Sequence, residues 1–112
     1  MSSQEFLPVI PSSELSLFKV CPMYAVLFTM IGCGWCEKIR PDIKSALKNK
    51  GLIPIVEIVL QGEKGFASNE DFVNKEGVKG FPAIKKYDNK SGVAVTFEGP
   101  RTPENIAKFL KM

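Results

Sequence analysis

The amino-acid sequence predicts a single α/β domain in which helices pack against a mixed sheet. Three observations lead there. The continuous apolar runs Tyr24–Met30 and Ile53–Leu60 have the make-up of strands covered on both faces. An amphipathic helical pattern separates them, so the three segments form a strand–helix–strand unit with parallel strands. Further on, two shorter β-rich runs flank a turn signal, which calls for antiparallel pairing and makes the sheet mixed.

Each element follows from its residues. Residues 1–11, with Pro8 and Pro11, read as an extended N-terminal arm, after which Ser12 or Ser13 caps a short amphipathic helix carrying Leu15, Leu17 and Phe18. Tyr24–Met30 is the central strand. From Trp35 the apolar residues recur at Ile39, Ile43, Ala46 and Leu47, a helical stripe of about four turns that stops at Gly51. Pro41 lies inside it and bends its axis. In the second buried strand Pro54 is tolerated only near the start. After the turn Gln61–Gly65, Ser68 with Asp71 three residues on resembles a capping box for a short helix through Phe72 and Val73, closed by Gly77. Ala83–Tyr87 and Val93–Phe97 flank Asp88-Asn89-Lys90-Ser91-Gly92 as a hairpin. Thr102 as N-cap and Pro103 at the first helical position open a last helix that buries Ile106, Phe109 and Leu110.

Composition narrows the function. A chain of 112 residues, 45% hydrophobic and 24% charged, is large enough for one core and too small for two, so 1–112 is one domain. Its net charge of +3 comes from basic residues scattered among acidic ones, which argues against nucleic-acid binding. The longest uncharged apolar stretch, Met23–Ile31, falls far short of the roughly 20 residues of a transmembrane helix. Met1–Glu5 lacks the basic start of a secretory signal. A cytoplasmic monomer with no membrane partner is the expectation. Three cysteines and no histidine exclude Cys-His catalysis, an imidazole metal ligand and a multi-disulfide scaffold. No metal site is expected, because a structural zinc needs four ligands.

The chemistry lies in Cys33-Gly34-Trp35-Cys36, where the first buried strand ends and the amphipathic helix begins. Unpaired amides and the positive end of the helix dipole favour a thiolate at Cys33, which makes it the nucleophile toward a disulfide. Cys36, one turn along and the more buried of the two, is placed to attack the Cys33 sulfur of a mixed disulfide.

With these residues the chain resembles the thioredoxin-like family, its protein disulfide isomerase branch as closely as thioredoxin itself. Ala25–Met30 with the Cys33–Cys36 motif looks like the family's active-site strand and motif, and Pro41 sits where its active-site helix bends. Gly77–Tyr87 is similar to the segment bearing the family's cis-proline, here Pro82, and Phe97–Leu110 resembles the final strand, glycine turn and helix. The resemblance implies a thioredoxin fold, with a mixed sheet of four to five strands flanked by helices and Pro82 beside the cysteines. It also implies that Gly32, Gly34, Trp35, Gly80, Phe81 and Pro82 form the surface that meets substrate, the backbone of Phe81 pairing with an extended segment. A Phe-Pro bond in a turn is independently suited to the cis form.

Three departures from the family's pattern stand out. Gly32 replaces the usual Trp before the first cysteine, and Gly34-Trp35 replaces Gly-Pro or Gly-His between the two. Leu27 stands where the family places a buried acid, whereas Glu57 interrupts the second apolar strand. A carboxylate there needs a partner or a proton. Glu57 is therefore either the general base for Cys36 or a carboxylate that pairs with a Lys or sits at the strand's exposed end. Cys21 reads as a packed thiol or as a cysteine that pairs between chains.

The expected activity is thiol–disulfide exchange on protein disulfides without a bound cofactor, supported by a redox partner protein that is either a reductase or a thiol oxidase. The alternatives are a glutathione-dependent relative of glutaredoxin and a binding or assembly module whose thiols matter little.

Overall fold

β1 (Met23–Thr29) has its last five residues fully buried, and the sheet is built outward from it. It pairs in parallel with β2 (Ile55–Val59), setting Leu27 opposite Glu57. On its other side it runs antiparallel to β3 (Ala83–Asp88), which pairs antiparallel with β4 (Ala94–Thr96). The order is β2-β1-β3-β4, the mixed sheet expected. The structure, a computed structural model, describes residues 7–60, 67–78 and 80–111.

The arm is extended where it is described, and it continues the sheet. The N–H of Glu57 donates to the Pro8 carbonyl at 2.8 Å and the N–H of Ile10 donates to the Glu57 carbonyl at 3.0 Å, so Val9 bridges β2 in parallel. These bonds cover the open edge of β2, which otherwise would present unpaired backbone groups.

One face of the sheet carries α1 (Gly34–Ala46) and α3 (Pro103–Leu110). Side chains alternate along the strands, so Ala25, Leu27, Ile55 and Ile84 meet Ile39 and Ile43 of α1 and Ile106 and Leu110 of α3 in one aliphatic core. α1 ends a turn earlier than its apolar stripe predicts. The N–H of Lys48 turns back to Ser45 and that of Asn49 to Ala46, and the Asn49 amide also donates to the Ala46 carbonyl at 2.9 Å, which closes the helix before Gly51. α3 opens as expected, with Thr102 Oγ1 accepting from the Asn105 N–H at 3.2 Å.

The opposite face carries a 3-10 helix (Ser12–Val20) and α2 (Ala67–Lys75). Two expectations are corrected here. Neither Ser12 nor Ser13 caps the first helix: its N-cap is Pro11, and the Ser12 N–H donates at 2.7 Å to Asn69 Oδ1 from α2. Only Leu15 is buried, while Leu17 is 68% exposed, because the tighter 3-10 winding moves it off the inward face. Ser68 is already the second residue of α2 and so is not its cap, and the turn Gln61–Gly65 lies outside the described residues. The residue that fixes α2 is Asn69, fully buried, whose amide also donates to the Val59 carbonyl at 2.9 Å. Gly77 ends the segment in the left-handed region, with φ +70°.

Candidate active site

The strand-to-helix junction sets the two cysteines in unequal positions. Cys33 is the N-cap of α1, in extended conformation, and its Sγ accepts the Cys36 N–H at 3.2 Å. It therefore satisfies one of the helix's first amides in the manner of a capping side chain. Cys36 lies one turn on, completely buried, while Cys33 is half-buried, and the two are joined as a disulfide with Cα atoms 5.3 Å apart. The loop before them turns at Gly32, whose φ of +82° is a conformation that side-chain-bearing residues rarely adopt. A Trp at that position would strain this backbone, so the first departure from the family's pattern has a conformational reason. Apolar surface is supplied instead by Trp35, 64% exposed, and Ile31, 58% exposed.

The other predicted residues fall into place unequally. The Phe81–Pro82 bond is cis, as expected. Pro82 is buried, and its carbonyl accepts from Arg101 Nη2 at 3.4 Å. Gly80 is exposed beside it. The Phe81 ring, half-buried, packs against the core on the α2 face.

Glu57 is buried on β2, facing α1 as its register with Leu27 requires. Arg40 closes on it from α1, Nη2 donating at 2.6 Å to Oε2 and Nε at 3.1 and 3.2 Å to the two oxygens. Thr29 Oγ1 adds a hydrogen bond of 2.6 Å to Oε2. Arg40 Nη1 reaches out at 2.8 Å to Glu37, so one guanidinium spans a buried and an exposed carboxylate. This binding, foremost the hydrogen bond to Glu57, holds the guanidinium charged even more firmly than usual. Of the readings open for Glu57, the paired carboxylate is the one these bonds support, its partner being Arg rather than Lys. Arg40 is one of the charged residues that alternate with the apolar positions of α1, and spacing alone gives it no special mark. The signal that finds it is chemical: a buried carboxylate asks for a bidentate donor, and a long side chain at the rim of the apolar stripe supplies one.

Beside the cysteines Trp35, Lys38, Ile39 and Asp42 of α1 face Gly99 and Arg101 across a groove of about 470 Å³. Lys38 Nζ stands 4.6 Å from the centre of the Trp35 ring. Cys21 remains a free, half-buried thiol.

A thioredoxin family model matches residues 19–112. Among solved structures the chain is similar to the J-Trx1 fragment of ERdj5, with TM-score 0.75 and 19% identity over 92% of this chain and 49% of that one. It is similar to the first thioredoxin domain of mouse protein disulfide-isomerase A4, with TM-score 0.72 and 23% identity over 97% and 76%. A mutant thioredoxin from Halobacterium salinarum gives TM-score 0.75 and 15% identity over 98% and 92%. At these identities the likeness is one of fold, and the chain spans about half the length of the ERdj5 fragment. No curated protein matches the chain by sequence.

Proposed function

The chain belongs to the thioredoxin family, and from that premise we propose that it is a thiol–disulfide oxidoreductase acting on disulfides of other proteins through Cys33 and Cys36. The observation that carries this reading is the inequality of the two cysteines. Cys33 caps the positive end of α1 and keeps partial access to solvent, whereas Cys36 is fully buried one turn behind it.

In the reductive direction the Cys33 thiolate attacks one sulfur of a partner disulfide, and the partner's other sulfur leaves as a thiolate that takes up a proton. Cys36 then loses its proton and attacks Cys33 Sγ, which breaks the mixed disulfide and expels the second partner sulfur. Two electrons and two protons have passed to the partner, and the Cys33–Cys36 disulfide described here is the product. A dithiol reductase restores the pair. Run backwards, with a thiol oxidase renewing the disulfide, the same steps oxidise a partner.

Two variants test the reading. Cys36→Ser should accumulate a mixed disulfide between Cys33 and a protein disulfide substrate, visible by mass spectrometry and reversed by dithiothreitol. Cys33→Ser should form none, and equal adduct formation by both variants would sink the assignment of roles. The reduction potential then fixes the direction: about −270 mV marks an electron donor and about −180 mV a disulfide donor or shuffler. Whether Glu57 also serves Cys36 is tested by Glu57→Gln, which must slow resolution of the mixed disulfide in a pH-dependent way.

A further inference from the structure

We propose that the groove beside the cysteines selects disulfide substrates whose reacting cysteine is followed or preceded, about two residues away, by an Asp or Glu. The inference rests on the oxidoreductase reading and adds a substrate class to it.

The groove borders the reactive pair through Trp35, the residue that precedes Cys36 in the chain and forms part of the groove wall. Two cations line it. Lys38 covers one face of the Trp35 ring, and among the described residues it has no carboxylate within 4.0 Å. Arg101 spends one weak bond of 3.4 Å on the Pro82 carbonyl, leaving most of its five N–H donors free. Asp42 is the single acid among the lining residues, and neither cation forms an ion pair with it. The exposed acid nearest the motif, Glu37, is bound by Arg40. The groove therefore presents two unpaired positive charges beside a flat apolar ring, complementary to a carboxylate on an aliphatic stem.

Its position sets the spacing. Lys38 lies five residues beyond Cys33, about 7 Å of rise and about 140° around the helix axis, so about 9 Å between Cα atoms, which two residues of extended chain and an acidic side chain can span. A segment attached through its sulfur to Cys33 would thus carry its second neighbour to the gap between Lys38 and Arg101. Arg101 also ties the groove to the carbonyl of Pro82, so the far wall is held to the cis-proline loop.

The test uses the full chain and two synthetic disulfide peptides that differ only in Glu or Lys two residues from the cysteine. At low ionic strength kcat/KM should favour the Glu peptide by about fivefold, and the ratio should shrink toward one in high salt, where exposed charges are screened. The double variant Lys38→Glu/Arg101→Glu should reverse the preference, and the neutral pair Lys38→Gln/Arg101→Gln should abolish it. Lys48→Glu, beyond the C-terminal end of α1 and outside the groove, controls for overall charge and should keep it. Equal rates on the two peptides, or a preference that survives the double reversal, would overturn the proposal. Oxidised glutathione that competes with the peptides and depends on the same two cations would also overturn it, naming a small thiol as the occupant. Reduction of neither peptide would instead remove the oxidoreductase reading itself, and the proposal with it.

Discussion

The two faces of the sheet pack on different chemistry, and each holds a carboxylate in its own way. The face under α1 and α3 is aliphatic, built from Leu27, Ile39, Ile43, Ile55, Ile106 and Leu110, with Glu57 buried on the same face in the middle of β2. The face under the 3-10 helix and α2 is aromatic: Tyr24 stacks on Tyr87 at 5.1 Å and Phe28 on Phe72 at 5.9 Å. There Glu76 accepts the Tyr87 hydroxyl at 2.6 Å, with Lys85 Nζ 3.9 Å away. Glu57 is met by a permanent cation, which does not titrate in the physiological range. Glu76 is met by a phenol, which ionises only at strongly alkaline pH. The redox helix is thus pinned by a tie that is insensitive to mildly alkaline pH, whereas the opposite layer carries a group whose ionisation works against the fold.

The largest effect should come from breaking the first tie. Arg40→Leu leaves the buried Glu57 carboxylate with only Thr29 as a side-chain donor, and it should lower unfolding free energy in urea by about 3 kcal/mol. The lower end of the range for broken buried pairs applies because the Arg40 side chain keeps 25% of its exposure. The double replacement Arg40→Leu/Glu57→Leu should recover most of that loss, since apolar side chains often replace a buried pair at little net cost. A double variant as unstable as Arg40→Leu would show that the carboxylate, rather than its missing partner, is what the fold requires.

That tie also marks the limit of what the residues reveal on their own. The strand–helix–strand unit was legible because β1 and β2 are continuous apolar runs, and the hairpin and last helix because Asp88–Gly92 and Thr102-Pro103 are local signals that act within a few residues. Cys33 at the N-cap was legible for the same reason. What escaped is long-range. Asn69 reaches from α2 to Val59 and to Ser12, 57 residues away in the chain, and Arg40 reaches Glu57 across 17. Neither partner can be found by spacing, since side chains of this length meet whatever the topology brings to them. The edge pairing of Pro8 and Ile10 with Glu57 is equally invisible, because backbone groups carry no residue-specific mark.

On the aromatic face the corresponding break is smaller and depends on pH. Burial, then the hydrogen bond to Glu76, pushes the Tyr87 phenol well above its ordinary value of 10, and Tyr24 is raised by burial and by Glu76. A group raised in the folded state adds stability that is fully present below its unfolded value and is lost as pH rises beyond it. Stability should therefore be level up to about pH 10 and then decline through these two phenols. Tyr87→Phe should cost on the order of 1–2 kcal/mol at neutral pH, through loss of the bond to Glu76. It should also make the alkaline decline shallower, leaving Tyr24 to account for the remainder. Urea midpoints measured from pH 7 to 11 read both effects, and a decline of unchanged steepness would remove Tyr87 from the account.

The smallest expected effect sharpens the contrast furthest, because it separates the size of a contribution from the pH at which it is lost. Lys85 Nζ donates to the Glu76 backbone carbonyl at 2.7 Å and lies near its carboxylate. Lys85→Met removes both interactions and should cost about 1 kcal/mol at neutral pH. It also takes a positive charge from beside Glu76, which makes ionising Tyr87 harder still in the folded chain. The pH at which stability begins to fall is nevertheless set by the unfolded phenol, since above that value the unfolded chain releases protons that the folded chain retains. The onset should accordingly stay near pH 10 in the variant while the whole curve shifts downward. An onset that moved with the mutation would remove the two phenols as the cause of the alkaline decline on this face.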